Sequence, residues 1–98
     1  MSKSERNLCF SGQHPSLEGH FPNDPIVPAA AILAELISQV ESEYGESVTG
    51  VVSTRFRAAL RPEIHCSVAM EQRNGRVEVV CKNDDAVVMK AIFSMRRP

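Results

Sequence analysis

Residues 28–45 read PAAAILAELISQVESEYG, and this stretch decides the architecture. Ala29 to Tyr44 contains no Gly or Pro and is rich in Ala, Leu and Glu, all strong helix formers. Ile32, Leu33, Leu36, Ile37, Val40 and Tyr44 recur at helical spacing, so at about 100° per residue they cover one broad apolar face. Ala31, Glu35, Ser38 and Ser42 fall on the other side. Pro28 feeds the N-terminus and Gly45 supplies a left-handed stop. The pattern predicts one helix of about four turns.

Downstream of this helix the periodicity changes to two. Val48 to Ala58 is rich in Val and Thr. Ile64, Cys66, Val68 and Met70 alternate with His65, Ser67, Ala69 and Glu71. Asn74-Gly75 is a type I′ hairpin signal, and Val77, Val79 and Cys81 continue the alternation beyond it. After a second turn at Asn83-Asp84-Asp85, the residues Val87, Met89, Ala91, Phe93 and Met95 mark one face of a last strand. Upstream, only a short extended piece around Asn7 to Phe10 is expected before a loop. There Pro22, Pro25 and Pro28 forbid a helix, because each removes an N–H and biases its predecessor to extended geometry. The order is therefore short strand, loop, long helix and four strands of an antiparallel meander. A single helix buries its apolar face against such a sheet only if the sheet wraps it, which gives an α+β domain.

At 98 residues and 10.8 kDa the chain is one domain, residues 1–98, and 43% apolar residues suffice for a single core. No apolar run approaches the roughly 20 residues of a membrane span, and Met1 to Arg6 lacks a signal-peptide apolar region, so a soluble, cytoplasmic protein with no membrane partner is expected. The net charge of −1 argues against nucleic acid as a partner. Charge is nonetheless divided: residues 1–50 carry −5 and residues 51–98 carry +4. Cys9, Cys66 and Cys81 form an odd set without C-x-x-C spacing and read as buried reduced thiols. Neither His14 nor His65 pairs with a Cys, Asp or Glu at metal spacing, so neither a metal nor another cofactor is expected.

The stretch from Gly19 to Leu36 brings a histidine, His20, in a proline-fixed loop to a helix N-terminus. Such a terminus has unpaired N–H groups and positive dipole character, suited to a carbonyl oxygen that develops negative charge. A base beside an oxyanion site is the minimum equipment for abstracting a proton next to a carbonyl. On spacing alone a lone histidine reads first as a structural anchor of its loop, hydrogen-bonded to backbone. Arg55, Arg57 and Arg61 share a strand and its exit. They read either as a landing surface for an acidic partner or as ordinary exposed strand residues.

Gly19-His20-Phe21-Pro22-Asn23-Asp24-Pro25-Ile26-Val27-Pro28 resembles the signature of the hot-dog-fold 3-hydroxyacyl-acyl carrier protein dehydratases: G-H-F-P-G-x-P, two apolar residues, P-G and then the central helix. The preceding His14-Pro15-Ser16-Leu17-Glu18 resembles a subgroup of short dehydratase-like proteins of specialised lipid and polyene pathways. Thr54 to Pro62 is similar to the family's strand ending in a Pro-Gly turn, and Val87 to Ala91 to its closing strand. The likeness runs from about Leu8 to Met95. It implies a hot-dog fold, with one long central helix wrapped by an antiparallel sheet of about five strands.

The same resemblance implies that His20 acts as acid/base on the C2–C3 segment of an acyl thioester. The Ala29 N–H would polarise the thioester carbonyl, with Phe21 and Pro28 as further substrate-binding positions. The family's acid, supplied by the central helix of a partner subunit, should lie fourteen residues after the histidine, where this chain has Ala34. Glu35 is adjacent but rotated by about 100°. It either takes over the acid role or is a solvated helix residue. Asn23 and Ala29 replace two family glycines. The implied partners are an acyl carrier protein with its phosphopantetheine-linked acyl chain, docking at Arg55, Arg57 and Arg61, and a second hot-dog subunit in a homodimer or heterodimer. One helix and about five strands leave a sheet edge unpaired, which is the physical need for that subunit. The expected activity is that of a dehydratase in fatty acid or polyene-type lipid biosynthesis. The alternatives are a catalytically impaired subunit that binds the carrier or pairs with an active one, and a thioesterase.

Overall fold

A computed structural model describes residues 2–12 and 26–96, so His14, His20, Phe21 and Asn23 lie outside the described residues. The helix α1 spans Ala29–Tyr44, the stretch the sequence marks, and ends at Gly45 with φ 65°. That left-handed residue donates its N–H to the Glu41 carbonyl and closes the last turn. Ile32, Leu36 and Val40 are buried, while Leu33, Ile37 and Tyr44 pack half-buried against the core. All six residues of the expected apolar face are thereby accounted for. On the opposite side Glu35, Ser38 and Ser42 are exposed, but Ala31, expected with them, packs half-buried against the core.

Five strands form one antiparallel sheet: β1 (Ser2–Leu8), β2 (Ser47–Phe56), β3 (Cys66–Arg73), β4 (Arg76–Asn83) and β5 (Ala86–Arg96). Their order across the sheet is β1-β3-β4-β5-β2. Two expectations need correction. The first strand covers Ser2–Leu8 rather than a short piece at Asn7 to Phe10, because its whole length pairs with β3, from Ser2 opposite Gln72 to Leu8 opposite Cys66. The four-strand meander is also reduced to three, β3-β4-β5. β2 pairs with β5 at the far edge, Phe56 opposite Met89 and Thr54 opposite Ala91. Residues 57–65 therefore lead back across the domain to β3. The crossover leaves Ile64 exposed, whereas the alternation from Cys66 onward holds.

Both hairpin turns fall where turn residues stand. Asn74 (φ 53°) and Gly75 (φ 76°) form the β3–β4 turn, and Asp84 (φ 55°) lies in the β4–β5 turn. The inner face of the sheet carries Val68, Met70, Val77, Val79, Cys81, Met89, Ala91 and Phe93, all buried against α1. Among the described residues no polar or charged residue is buried. Cys66 and Cys81 are buried free thiols, but Cys9 is free and exposed, contrary to expectation. Leu8 points into the core, so the alternation turns Cys9 outward, where its Sγ lies 3.9 Å from His65 Nε2. Burial pushes the Cys66 thiol up, with Cys9 nearby adding to the effect. It pushes the Cys81 thiol up to about 12, with Cys66 as the lesser cause. No helix of the described residues is long and apolar enough to cross a membrane.

Irregularities in the sheet bear on the site. Between Cys81 and Lys82 the register with β5 shifts, leaving Val88 as an extra residue in β5. The Val88 carbonyl accepts N–H bonds from both Arg57 (2.8 Å) and Ala58 (3.3 Å), which carries the end of β2 past the sheet in a fixed path. β2 has two shifts of its own, with Thr49 and Val52 as the extra residues. Such bulges increase local twist and bend this strand around the helix.

Candidate active site

The start of α1 is the chemically open point of the described structure. Pro28 is the N-cap, at φ −61° and ψ 145°, and offers no side-chain cap. Its carbonyl accepts from Ala31 N–H (3.0 Å) and Ile32 N–H (3.2 Å). The amides of Ala29 and Ala30 have no partner among the described residues, and the first turn holds no acidic side chain to satisfy them. Both residues are exposed. An uncapped terminus of this kind presents donors and partial positive charge to a ligand oxygen.

Beside this terminus lies a groove of about 420 Å³, with Ala29 and Ile32 on its helix side and Phe56, Ala58, Ala59 and Leu60 on the other. Phe56 faces inward, opposite Met89, yet remains 37% exposed because β2 runs past the helix there. Val27 is fastened to the opposite wall, its N–H donating to the Leu60 carbonyl at 2.8 Å. The small side chains of Ala29, Ala58 and Ala59 leave the groove open. Its lining is apolar apart from Arg57 and the Ala29 amide, so it suits an acyl chain that ends in a polarisable carbonyl.

Arg57 is also a wall of a second depression, of about 410 Å³, on the outer face of the sheet. Arg55 and Lys90, directly opposite each other on β2 and β5, line this depression with Glu78 at its margin. Like charges in such a pair repel. Among the described residues neither Arg55, Arg57 nor Lys90 has an ion-pair partner. The structure thus brings Arg55 and Arg57 together and adds Lys90, which the sequence did not single out. Register alone joins Lys90 to Arg55, and register between β2 and β5 is a long-range property. Arg61 is exposed and borders neither depression. A larger depression, about 520 Å³, lies among Lys3, Glu5, Glu71 and Val80, away from the helix start. It is a space between long charged side chains on the outer face.

Glu35 is exposed and is not a wall of the groove; neither is Ala34, the position next to it. Within one subunit the structure does not bring Glu35 to the Ala29 amide. His20 and Phe21 lie outside the described residues. Among the described residues no group of three or more His, Cys, Asp or Glu side chains is arranged to hold a metal.

Among the described residues, one helix enclosed by a curved five-stranded antiparallel sheet, with an uncapped helix start beside an apolar groove, defines a hot-dog domain. Within that class the chain belongs to the ApeI-like family, described as ApeI dehydratase, which it matches over residues 2–92. No curated protein matches its sequence. Among solved structures it is similar to the dehydratase heterocomplex ApeI:P from Xenorhabdus doucetiae, with a TM-score of 0.84 at 15% identity, covering 97% of this chain and 88% of the other. It is also similar to an uncharacterized protein from Erwinia carotovora subsp. atroseptica, with a TM-score of 0.77 at 14% identity, covering 97% and 83%. A probable thioesterase from Bartonella henselae matches with a TM-score of 0.65 at 11% identity, covering 99% and 92%. At these identities the structural likenesses establish the fold, and the family match establishes the dehydratase-like character.

Proposed function

We propose that this chain is a dehydratase subunit acting on a 3-hydroxyacyl thioester carried by an acyl carrier protein, in the cytoplasm, in fatty acid or polyene-type lipid synthesis. The observation that supports the reading is the Ala29 amide, without a partner among the described residues, at the edge of the apolar groove. In the proposed reaction the Ala29 N–H donates to the thioester oxygen while His20 removes a proton from C2. The electron pair of that C–H bond becomes the C2–C3 double bond, and the C3 hydroxyl leaves as water once protonated. Glu35 is the proposed donor of that proton, acting on the site of a facing subunit, since it lies outside its own groove.

The second subunit is proposed to join at β2. The two edges of the sheet are built differently. β1 presents Lys3, Glu5 and Arg6, charges that discourage further strand pairing. β2 leaves Val51 46% and Val52 44% exposed, apolar surface that a neighbouring strand would cover. Val52→Lys should therefore weaken association by at least about tenfold in sedimentation, as a buried unpaired charge does. Unchanged association would place the contact elsewhere. The heterocomplex to which the chain is similar supports a different hot-dog subunit as the companion.

Ala34 favours a second reading, an impaired subunit that binds the carrier while its companion does the chemistry. Incubating the chain with a 3-hydroxyacyl thioester, alone and with a companion subunit, separates the readings. The dehydratase forms the enoyl thioester with loss of water; a thioesterase would release free thiol instead. Glu35→Gln should lose most of the turnover, and Ala34→Glu should raise it above the wild type by placing a carboxylate where the family keeps one. If the wild type and both variants are inert with and without a companion, carrier binding is the better account.

A further inference from the structure

Both ends of the segment bearing the Gly19–Pro28 motif are fastened to the same four residues, Leu60–Glu63. Downstream, the Val27 N–H donates to the Leu60 carbonyl at 2.8 Å. Upstream, the Glu63 N–H donates to the Phe10 carbonyl at 2.7 Å, and the Gly12 N–H donates to the Glu63 carboxylate at 2.5 Å. Glu63 therefore grips the upstream end with its backbone and its side chain at once.

It does so from an unfavourable conformation. Glu63 has φ 66°, in the left-handed region. The two other described non-glycine residues with positive φ are Asn74 and Asp84, both at tight hairpin turns and both of types that tolerate this region. Glu has no such tolerance, and glycine would adopt this φ without strain. The carboxylate is what glycine would lack: an anionic acceptor for the Gly12 amide, a stronger bond than one between neutral groups. Strain kept at a residue that binds a neighbouring segment on both sides is the mark of a positioning role.

We propose that Glu63 is a positioning residue, a clasp that holds the upstream end of the motif segment at residues 10–12 beside the turn that holds its downstream end at Val27, and that turnover depends on this hold. The proposal rests on the dehydratase reading for its effect on turnover, but not for the clasp itself.

Three substitutions separate positioning from turn stability. Glu63→Gln keeps both the strain and the acceptor. Glu63→Ala keeps the strain and loses the acceptor. Glu63→Gly loses both. Amide exchange at Gly12, thermal midpoint and dehydration of a 3-hydroxyacyl thioester are measured for each, with the companion subunit wherever turnover requires it. Glu63→Gln, with a neutral acceptor in place of the anionic one, should stay closer to the wild type in all three than either other variant. Glu63→Ala and Glu63→Gly should both exchange Gly12 faster, on the order of tenfold. Both should lose turnover by about tenfold or more, in kcat rather than KM. Glu63→Gly should nonetheless melt above Glu63→Ala, because it has shed the strain. Recovery of Gly12 protection and turnover in Glu63→Gly, along with the melting point, would reduce Glu63 to a turn residue and overturn the proposal. If the wild type does not dehydrate the thioester, the dehydratase reading fails, and Gly12 exchange alone decides: unchanged exchange in Glu63→Ala overturns the clasp.

Discussion

The two faces of the sheet use the same strands for opposite purposes. On the inner face Val68, Met70, Val79, Cys81, Ala91 and Phe93 are closed against α1. On the outer face one cross-strand row runs Glu5, Ala69, Val80, Lys90 and Arg55, from an acidic end on β1 to a basic end on β2. Inner residues are interchangeable within limits of volume, so they define the fold and say little about the ligand. Outer residues contribute little to folding, and their charge order is where the proposed carrier docking would be read. Arg57 joins the two regions, since it borders the outer depression and the groove beside the helix start.

Changes on the inner face should have the largest effects. Phe93 is fully buried, and Phe93→Ala should cost about 3–5 kcal/mol in denaturant unfolding, enough to threaten a domain of this size. A cost below about 1 kcal/mol would mean that the inner face is loosely packed.

The inner face should also be sensitive to alkali. The Cys81 thiol is pushed up to about 12 in the folded chain from an ordinary value of 9.0. Below the ordinary value both states hold the proton and stability is unaffected. Between the two values the unfolded chain loses its proton while the folded chain keeps it. Stability should then fall by about 1.4 kcal/mol per pH unit from this group. Cys81→Ala should flatten that slope in unfolding curves above pH 9; an unchanged slope would assign it to other groups.

On the outer face the effect should be confined to binding. Replacing Arg55, Arg57 and Arg61 together by Ala should leave the melting midpoint within a few degrees. It should weaken carrier-protein binding at low salt and flatten its salt dependence, because exposed charges are screened at physiological ionic strength. Unchanged affinity at low salt would remove the outer face from the docking account. Arg61, which borders neither depression, should contribute least of the three when replaced singly.

The division between the faces also governs what was legible in the sequence. The helix Ala29–Tyr44 and the Asn74-Gly75 hairpin are local patterns, and both stand where periodicity and turn chemistry put them. The inward alternation of Cys66, Val68 and Met70 was equally readable. Strand order was not, because the pairing of β2 with β5 joins residues far apart in sequence and leaves no local trace. For the same reason the Arg55–Lys90 neighbourhood and the Glu63 clasp emerge only from the assembled chain. The bulge at Val88 was hidden too: one extra residue buries both Val88 and Met89, where strict alternation allows only one. At the site, the absence of a partner for the Ala29 amide among the described residues follows from Pro28 and an uncapped first turn. His20 rests on the motif it belongs to.

The dehydratase reading is tested most directly at that residue. The measurement is the rate at which His20→Asn converts a 3-hydroxyacyl thioester to the enoyl thioester, compared with the wild type under the same pairing conditions. The folded fraction of both proteins is checked by melting. A missing general base should lower the rate by about 10² to 10⁴ while the melting midpoint stays in place. Turnover by His20→Asn at the wild-type rate would contradict the account, since the proton at C2 would then be leaving to some other group.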